Sequence, residues 1–362
     1  MEVAPGVSRD EVDAEEAVRQ QQRTEFASIA GCDLAVAQSY LAENSWEMER
    51  ALNSFFESPI QGISSQHNHL ASLDTVMSAS ETCIDLTDDN LAVVSLSATG
   101  NTTESVQHED DSTFSFLTWN IDGLDLENLQ ERARGMCSYL ALYTPDVVFL
   151  QELIVPYYNY LKKRAVTYTI IAGGEDGYFT GIMLKTSRVK LLSQEIIPFE
   201  TTAMMRNLLI VQVNISGNNV CLMTSHLEST KEHSKERLNQ LKLVLEKMQA
   251  VPESTTVIFA GDTNLRDKEV TKIGGLPANI LDIWEFLGKP EHCRYTWDTK
   301  MNSNLGAPYT CRLRFDRILY RAAASGSQMI PRALDLLGLE KLDCGRFTSD
   351  HWGLLCSFDV VL

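Results

Sequence analysis

The stretch TTVIFAGDTN, Thr255 to Asn264, decides the fold class. Its apolar part is too short for a helix and rich in β-branched residues, so it reads as a buried strand. The polar tetrad Gly261-Asp262-Thr263-Asn264 falls where that strand must end. The same arrangement recurs along the chain. FSFLTWN (Phe114 to Asn120) runs into Ile121-Asp122-Gly123, and PDVVFLQE (Pro145 to Glu152) closes on Gln151-Glu152. VCLMTSH (Val220 to His226) closes on Ser225-His226, and Ser349-Asp350-His351 precedes GLLCSFDVV (Gly353 to Val361). Carboxylates, amides and imidazoles that repeatedly sit at strand ends predict a polar rim above a sheet.

Working outward, YTIIAG (168–173), GIMLK (181–185), NLLIVQVNI (207–215) and FDRILYR (315–321) read as further strands. Arg132 to Tyr143 and Ser229 to Gln249 carry helical spacing instead, with Leu238, Leu241, Leu245 and Met248 on one face of the second. Many strands with few long helices predict an α/β fold, a two-sheet α/β sandwich flanked by helices, over residues 111–362.

A chain of 362 residues has room for a second unit. Residues 1–24 read as a disordered acidic tail. Residues 25–58 predict three short helices broken at Gly31-Cys32 and Asn44-Ser45, with Asp33 and Ser45 as N-caps and Trp46 opening the third helix. This all-α stretch resembles the ubiquitin-associated (UBA-like) family, which implies ubiquitin as a partner. Residues 59–110, rich in Ser, Thr, Asn and Asp, read as a flexible acidic linker. Within it CIDLTDD (Cys83 to Asp89) resembles a SUMO-interacting motif, with Ile84 and Leu86 beside Asp85, Asp88 and Asp89; such a peptide adds a strand to a partner's sheet edge.

The formal charge of −18 argues against a chain that grips nucleic acid broadly, but it is unevenly spread. Residues 1–110 hold 20 acidic and 4 basic residues, whereas 111–362 hold 29 and 27. The second segment is nearly balanced, which allows a small phosphate-binding footprint such as a DNA end. No apolar run approaches the ~18 to 20 residues needed to span a bilayer, and no apolar signal core opens the chain, so a soluble intracellular protein is expected. The eight cysteines form no CxxC pair and read as reduced structural thiols. Lys162, Lys163, Arg188 and Lys190 read as solvated charge, and Met204-Met205 as packing.

Taken in order, WNIDGL, QE, SHLES, GDTN, FDRI and SDH resemble the endonuclease/exonuclease/phosphatase family, that of DNase I and the apurinic endonucleases, over about 250 residues. The resemblance implies a phosphodiesterase that works with Mg²⁺, or Mn²⁺ as substitute, held by Glu152 and Asp122; a hard cation of this kind needs only one or two carboxylates plus the substrate phosphate. It implies that Asp262 orients or deprotonates the attacking water and that Asn264 and Asn120 donate hydrogen bonds to the phosphate. His351 would face the charge developing on the phosphoryl oxygens, with Asp316 orienting its ring, Asp350 behind, and Ser225 and His226 meeting the phosphate from the other side. Singly, each residue reads as well as a turn, cap or satisfied hydrogen-bonding group.

TWNIDGLD, GDTNLRD and SDHWGLL further resemble the 5′-tyrosyl-DNA phosphodiesterases. Trp352-Gly353 stands where phosphatases and apurinic endonucleases commonly have a proline one residue after SDH. By this resemblance Tyr178, Trp297, Leu305 and Phe315 wall a groove for unpaired bases, Arg206 supports Trp297 by a cation–π contact, and Arg266 meets a backbone phosphate. The implied substrate is a single-stranded or frayed 5′ DNA end carrying a topoisomerase II remnant, with 5′-tyrosyl RNA as a second linkage of the same chemistry. That substrate implies a nuclear and also cytoplasmic protein, read as a monomer. Two other readings stay open: an apurinic or DNase I-like endonuclease, and a signalling adaptor recruited by ubiquitin and SUMO with secondary catalysis.

Overall fold

The structure, a computed structural model, describes residues 18–24, 26, 34–47, 51, 110–307, 310–326 and 328–361. Chain contacts divide it into two units, Met1–Ser80 and Glu81–Leu362.

In the first unit, helix α1 (Leu34–Glu43) packs Ala37 and Leu41 into a small core with Phe26 and Ala51, and Phe26 stacks on Tyr40. Residues 18–24 are helical, so helix begins inside the stretch expected to be a disordered tail; VRQQQR is a run of good helix formers. Ser45 and Trp46 adopt left-handed backbone in a turn rather than opening a helix. Arg19 lies over the Trp46 ring at 5.0 Å and Gln22 donates to its carbonyl. The SUMO-type motif and the linker lie outside the described residues, apart from Asp110.

The second unit is built on two six-stranded sheets. One runs β13-β14-β1-β2-β4-β3, from β1 (Thr113–Asn120), β2 (Val147–Ile154), β3 (Tyr168–Ala172), β4 (Tyr178–Lys185), β13 (Gln328–Leu337) and β14 (Gly353–Val361). The other runs β5-β6-β7-β8-β12-β9, from β5 (Val189–Pro198), β6 (Asn207–Ile215), β7 (Asn218–Thr224), β8 (Thr256–Asp262), β9 (Leu281–Asp282) and β12 (Asp316–Arg321). A two-stranded ribbon pairs β10 (Trp297–Asp298) with β11 (Arg312–Leu313). Helices α2 (Leu129–Tyr143), α3 (Val155–Arg164), α4 (Ser234–Ala250), α5 (Asp267–Lys272) and α6 (Ile283–Phe286) complete the unit.

Burial explains the layers. Phe114, Phe116, Val147 and Phe149 of the first sheet meet Leu209, Val211, Leu222 and Ile258 of the second in a core between the sheets. The opposite face of the first sheet packs on α2 and α3 through Trp119, Met136, Leu140 and Tyr157. That of the second packs on α4 through Phe259, Leu241, Leu245 and Met248. The predicted sandwich is therefore present, with α3, β5 and β13 as elements the sequence reading did not mark. Arg188 is not solvated charge: its buried guanidinium pairs with Asp146 at 3.3 Å and Asp111 at 2.8 Å, which pins the start of β1 to the β4–β5 turn. Met204 is buried, whereas Met205 is 63% exposed.

Candidate active site

Sheet register assembles the centre. The parallel pairs β1–β2 and β7–β8 end on the same side, which sets Asn120 opposite Gln151 and carries β8 two residues past the Thr224–Ala260 pair to Asp262. Antiparallel β12 starts with Asp316 directly opposite Asp262. His351 stands two residues before β14, bridged to Trp297 of β10. The rim expected at the strand ends is thus one place drawn from both sheets.

Three of its acids or amides sit in left-handed backbone: Asp122 (φ 51°), Glu152 (φ 57°) and Asn264 (φ 51°). Such conformations are costly for non-glycine residues and persist only where the surroundings impose them. Glu152 owes its turn to an irregularity in the β2–β4 pairing between Leu150 and Leu153, which re-aims its side chain. Two glycines allow the loops to close on one another. A Cβ on Gly123 would lie 2.0 Å from the Glu152 carbonyl oxygen, and one on Gly261 would lie 2.1 Å from that of Ser225.

At the heart of the site Asp262 is buried among cations and donors. Its Oδ2 accepts from Asn120 Nδ2 at 3.0 Å and lies 3.2 Å from His226 Nε2 and 3.6 Å from His351 Nε2. Burial alone would raise its pKa, but the facing His226 and His351 hold the carboxyl far below the usual range, so it stays an anion. His351 Nδ1 is hydrogen-bonded to Asp316 Oδ2 at 2.8 Å. Burial would lower the His351 pKa; Asp316, Asp350 and Asp262 together push it well above its ordinary value. Backbone amides of Phe315 and Asp316 both donate to Thr296 Oγ, which fixes the Asp316 end of the pair.

A second cluster is acidic. Asn120 Nδ2 also donates to Glu152 Oε1 at 3.1 Å, and His226 Nδ1, 3.8 Å from that oxygen, is buried and makes no hydrogen bond. The Asp122 carboxyl is raised well above its usual range by burial first, then by the charges of Asp350 and Glu152, against Arg132 at 3.5 Å. Its buried Oδ2 is the atom facing Arg132 and has no hydrogen bond among the described residues. Mutually repelling carboxylates with an oxygen short of a hydrogen bond fit a divalent cation, and Glu152 and Asp122 are the residues that would hold it. Asp262, Asp316 and His351 also bring potential ligand atoms within 4.8 Å of one another. That trio is a poorer metal site, because Asp316 Oδ2 and His351 Nδ1 are already bonded to each other.

Several expected contacts differ. Ser225 Oγ donates to the Asn207 carbonyl at 2.7 Å, so a strand backbone consumes it rather than a phosphate. Arg206 lies over Tyr178 at 4.9 Å and not over Trp297, and it donates to Ser229 Oγ. Trp297 is held instead by Asp350 Oδ2, which accepts from its indole at 3.1 Å, and by Phe315 at 5.7 Å. The groove residues therefore form two flanks and not one wall. Tyr178 and Arg206 share a recess with Glu152, Met205 and His226, and Trp297 and Phe315 stand on the His351 side. Leu305 is half-exposed on the loop between β10 and β11. Arg266 covers the Phe315 ring at 5.1 Å. The side chain of Asn264 donates to Leu227 O and Ser229 Oγ, and its backbone N–H to Asp262 Oδ1, so it braces the GDTN turn.

Other residues were not singled out. Gln151 is fully buried and donates to Thr118 and Thr224, tying the two sheets together beneath the site. Glu228 accepts from Thr202, the Ala203 and Met204 amides and Gln240, anchoring the loop that carries Arg206. Its signal was the acid within SHLES. Arg132 is wholly buried and donates to the carbonyls of Ile121, Asp122 and Thr348. A charged residue at helical spacing gave no hint of that.

Comparison with known proteins agrees with this geometry. Residues 117–351 match the Endonuclease/Exonuclease/phosphatase family, and residues 20–60 match a UBA-like domain. The chain belongs to the endonuclease/exonuclease/phosphatase family. Within it, the chain is 66% identical to tyrosyl-DNA phosphodiesterase 2 of Xenopus tropicalis, over 95% of this chain and 94% of that protein. It is 66% identical to tyrosyl-DNA phosphodiesterase 2 of Homo sapiens, over 93% of this chain and 92% of that protein. A crystal structure of Danio rerio TDP2 complexed with single-strand DNA product is similar with a TM-score of 0.68 and 63% identity, covering 68% of this chain and 99% of that one.

Proposed function

We propose that the chain hydrolyses the 5′-phosphotyrosyl bond between DNA and a covalently attached peptide, leaving a 5′-phosphate end for double-strand break repair. The carrying observation is the placement of one carboxylate that rests as an anion, Asp262, between two imidazoles, with Asp316 behind the second. Relatives named tyrosyl-DNA phosphodiesterase 2, 66% identical over nearly the whole chain, support the choice of substrate.

Asp262 orients a water and takes its proton at a carboxylate oxygen as the water oxygen bonds to phosphorus. The bond from phosphorus to the tyrosyl oxygen breaks in the same displacement. His351, kept cationic by Asp316, donates Nε2–H toward the phosphoryl oxygen on which charge accumulates. His226 Nδ1, buried and without a hydrogen bond among the described residues, faces the phosphate from the opposite side. Asn120 and Asn264 hold Asp262 in place, Asn264 through its backbone. A Mg²⁺ or Mn²⁺ ion at Glu152 and Asp122 supplies Lewis-acid stabilisation of the phosphoryl charge when bound. A phenolate with a pKa near ~10 leaves far more readily than a sugar alkoxide, so no strong general acid is needed.

Topoisomerase II remnants fit as the natural adduct, with 5′-tyrosyl RNA as a second substrate. The UBA-like domain fits recruitment by ubiquitin and the Cys83 to Asp89 motif recruitment by SUMO, which suits a monomer working in the nucleus and also the cytoplasm. Metal-dependent release of tyrosine from a 5′-tyrosyl oligonucleotide tests the activity. Absence of release at saturating Mg²⁺, with nicking of an abasic duplex, would favour the endonuclease reading.

A further inference from the structure

Past Arg266 lies a second polar cavity, of about 550 Å³, outside the carboxylate and histidine centre. Six of its lining residues are Arg or Lys and three are Asp or Glu, a local excess of positive charge in a chain of formal charge −18. Two aromatic rings hold those cations in place. Arg312 and Arg294 lie over Tyr295 at 4.2 and 5.2 Å, and Arg314 and Lys289 lie over Trp284 at 4.5 and 5.8 Å. A guanidinium laid on a ring keeps its in-plane N–H donors pointing outward, in the fork that suits phosphate.

Charge runs from floor to rim. Arg314 and Arg317, both more than nine-tenths buried, pair with Asp282 at 2.6 Å and Asp267 at 2.7 Å, and the Nε of each lacks a hydrogen-bond partner. The rim acids Glu285 and Glu291 meet Lys289 at 3.4 Å and Arg294 at 3.3 Å through exposed side chains. Such surface pairs contribute little and yield readily to a phosphate. Arg266 forms no ion pair with a carboxylate among the described residues. It is also the link to the reacting centre, because it covers Phe315, whose ring centroid lies 6.5 Å from that of His351.

We propose that this cavity is a backbone subsite that grips the phosphates of a single polynucleotide strand a few nucleotides in from the reacting 5′ end. The direction of the strand rests on the tyrosyl-DNA phosphodiesterase reading; the polyanion site itself does not. A free nucleotide fits less well, since it wants an apolar slot for its base and both rings are already covered by cations. A track of cations that starts one side chain from the catalytic histidine fits a continuing backbone. The size suits about one sugar-phosphate unit with its base turned outward.

The full-length chain carrying Arg294→Gln and Arg312→Gln tests this, both side chains being exposed and absent from the catalytic centre. Because Arg312 Nε also pairs with the buried Asp298 at 2.8 Å, the single Arg294→Gln variant and the melting temperature of each variant control for the fold. Binding of 5′-phosphorylated oligonucleotides of graded length is followed by fluorescence anisotropy over a salt series. Wild type should bind tighter as length grows. The variant should lose that gain, roughly tenfold on the longest strand, and its slope of log affinity against log salt should fall by about one to two. Hydrolysis of the 4-nitrophenyl ester of thymidine 5′-phosphate, which has no further backbone, should be unchanged. Unaltered affinity and slope, or an equal loss on the shortest ligand, overturns the proposal. Replacing single phosphodiesters of the strand by uncharged methylphosphonates gives a readout that needs no variant: affinity should fall when the replaced linkage lies a few nucleotides in from the 5′ end, and no fall at any such position counts against the subsite. Oligonucleotide binding that depends on these arginines in a protein unable to release tyrosine would keep the subsite and sink the parent reading. Tyrosine release with no such dependence would do the reverse.

Discussion

The indole Nε1 of Trp119 donates to the backbone carbonyl of His351 at 2.9 Å, joining positions 232 residues apart. The ring itself is clasped by two glycines, since a Cβ on Gly353 would lie 2.7 Å from it and one on Gly338 2.4 Å. Ser349 adds a second tie, its Oγ donating to the Asn120 carbonyl at 2.6 Å and accepting from the His351 amide. The last residue of β1 and His351 are therefore placed by the same few contacts. Gly353→Ala should push the indole aside and move the His351 carbonyl with it. We expect a stability loss of about 1–3 kcal/mol by urea unfolding and a fall in kcat on a 5′-tyrosyl oligonucleotide larger than the change in KM. An unchanged kcat would show that the clasp matters only to packing.

The His351 pair predicts a pH profile. A histidine raised well above its ordinary value stays cationic through neutral pH, so the rate should hold there and fall as pH rises through the raised pKa. Asp262, held far below the usual range, adds no limb near neutrality. Asp316→Asn keeps an acceptor for Nδ1 but removes the charge, which lowers the His351 pKa toward its ordinary value. The alkaline limb of kcat should then move to lower pH. A profile that stays where it was would remove His351 as the titrating group.

Glu152→Gln should reduce kcat by at least ~100-fold with metal saturating, since an amide keeps the shape of the ligand and loses its charge. Without metal the same change takes one like charge away from Asp122, whose carboxyl is raised in part by Glu152. The metal-free melting temperature should accordingly hold or rise. A lower one would mean that Glu152 is mainly structural.

The strand-end polar residues were legible because short, continuous apolar runs locate the ends of β1, β2, β7 and β8, and register does the rest. Asp262 and Asp316 are read separately from sequence, yet pairing of β8 with β12 sets them face to face. What escaped notice depends on choices that local pattern cannot encode. Arg206 lies over Tyr178 and not Trp297, because Glu228 anchors its loop on the Tyr178 side. Ser225 was counted with His226, but past the end of β7 the two side chains take different partners: the hydroxyl goes to the Asn207 carbonyl and the imidazole to Asp262. Helix α3 lacked a clear apolar stripe, and β5 is a mostly exposed edge strand with little alternation to read.

A fragment of residues 111–362 should keep the full rate on a short 5′-tyrosyl oligonucleotide, because the residues of the candidate centre lie between Asn120 and His351. Ubiquitin binding should be lost with the first unit. Measured side by side with the whole chain, a turnover several-fold lower in the fragment would mean that the helical unit helps build the site.

The two unlike flanks of the centre predict polarity. On one side stands the partly exposed Trp297, backed by the buried Phe315, with Leu305 exposed on the nearby loop; on the other, a narrow recess carries Arg206 and Tyr178. An unpaired base can stack on the first flank only if the strand runs away from the phosphate in one direction. A strand bearing a 3′ adduct runs the other way and brings its bases to the recess, where the Tyr178 ring is already covered by Arg206 at 4.9 Å. Each lost stack is worth about 1–3 kcal/mol, so a 5′-phosphotyrosyl end should react at least ~10-fold faster than a 3′ end. An internal phosphodiester should fare worse still, having a poorer leaving group and a second strand arm to place. Matched 5′- and 3′-tyrosyl oligonucleotides competing in one reaction measure the ratio directly. Trp297→Ala should compress it by raising KM for the 5′ substrate alone, and equal rates in the unmodified protein would mean that the flanks do not set strand direction.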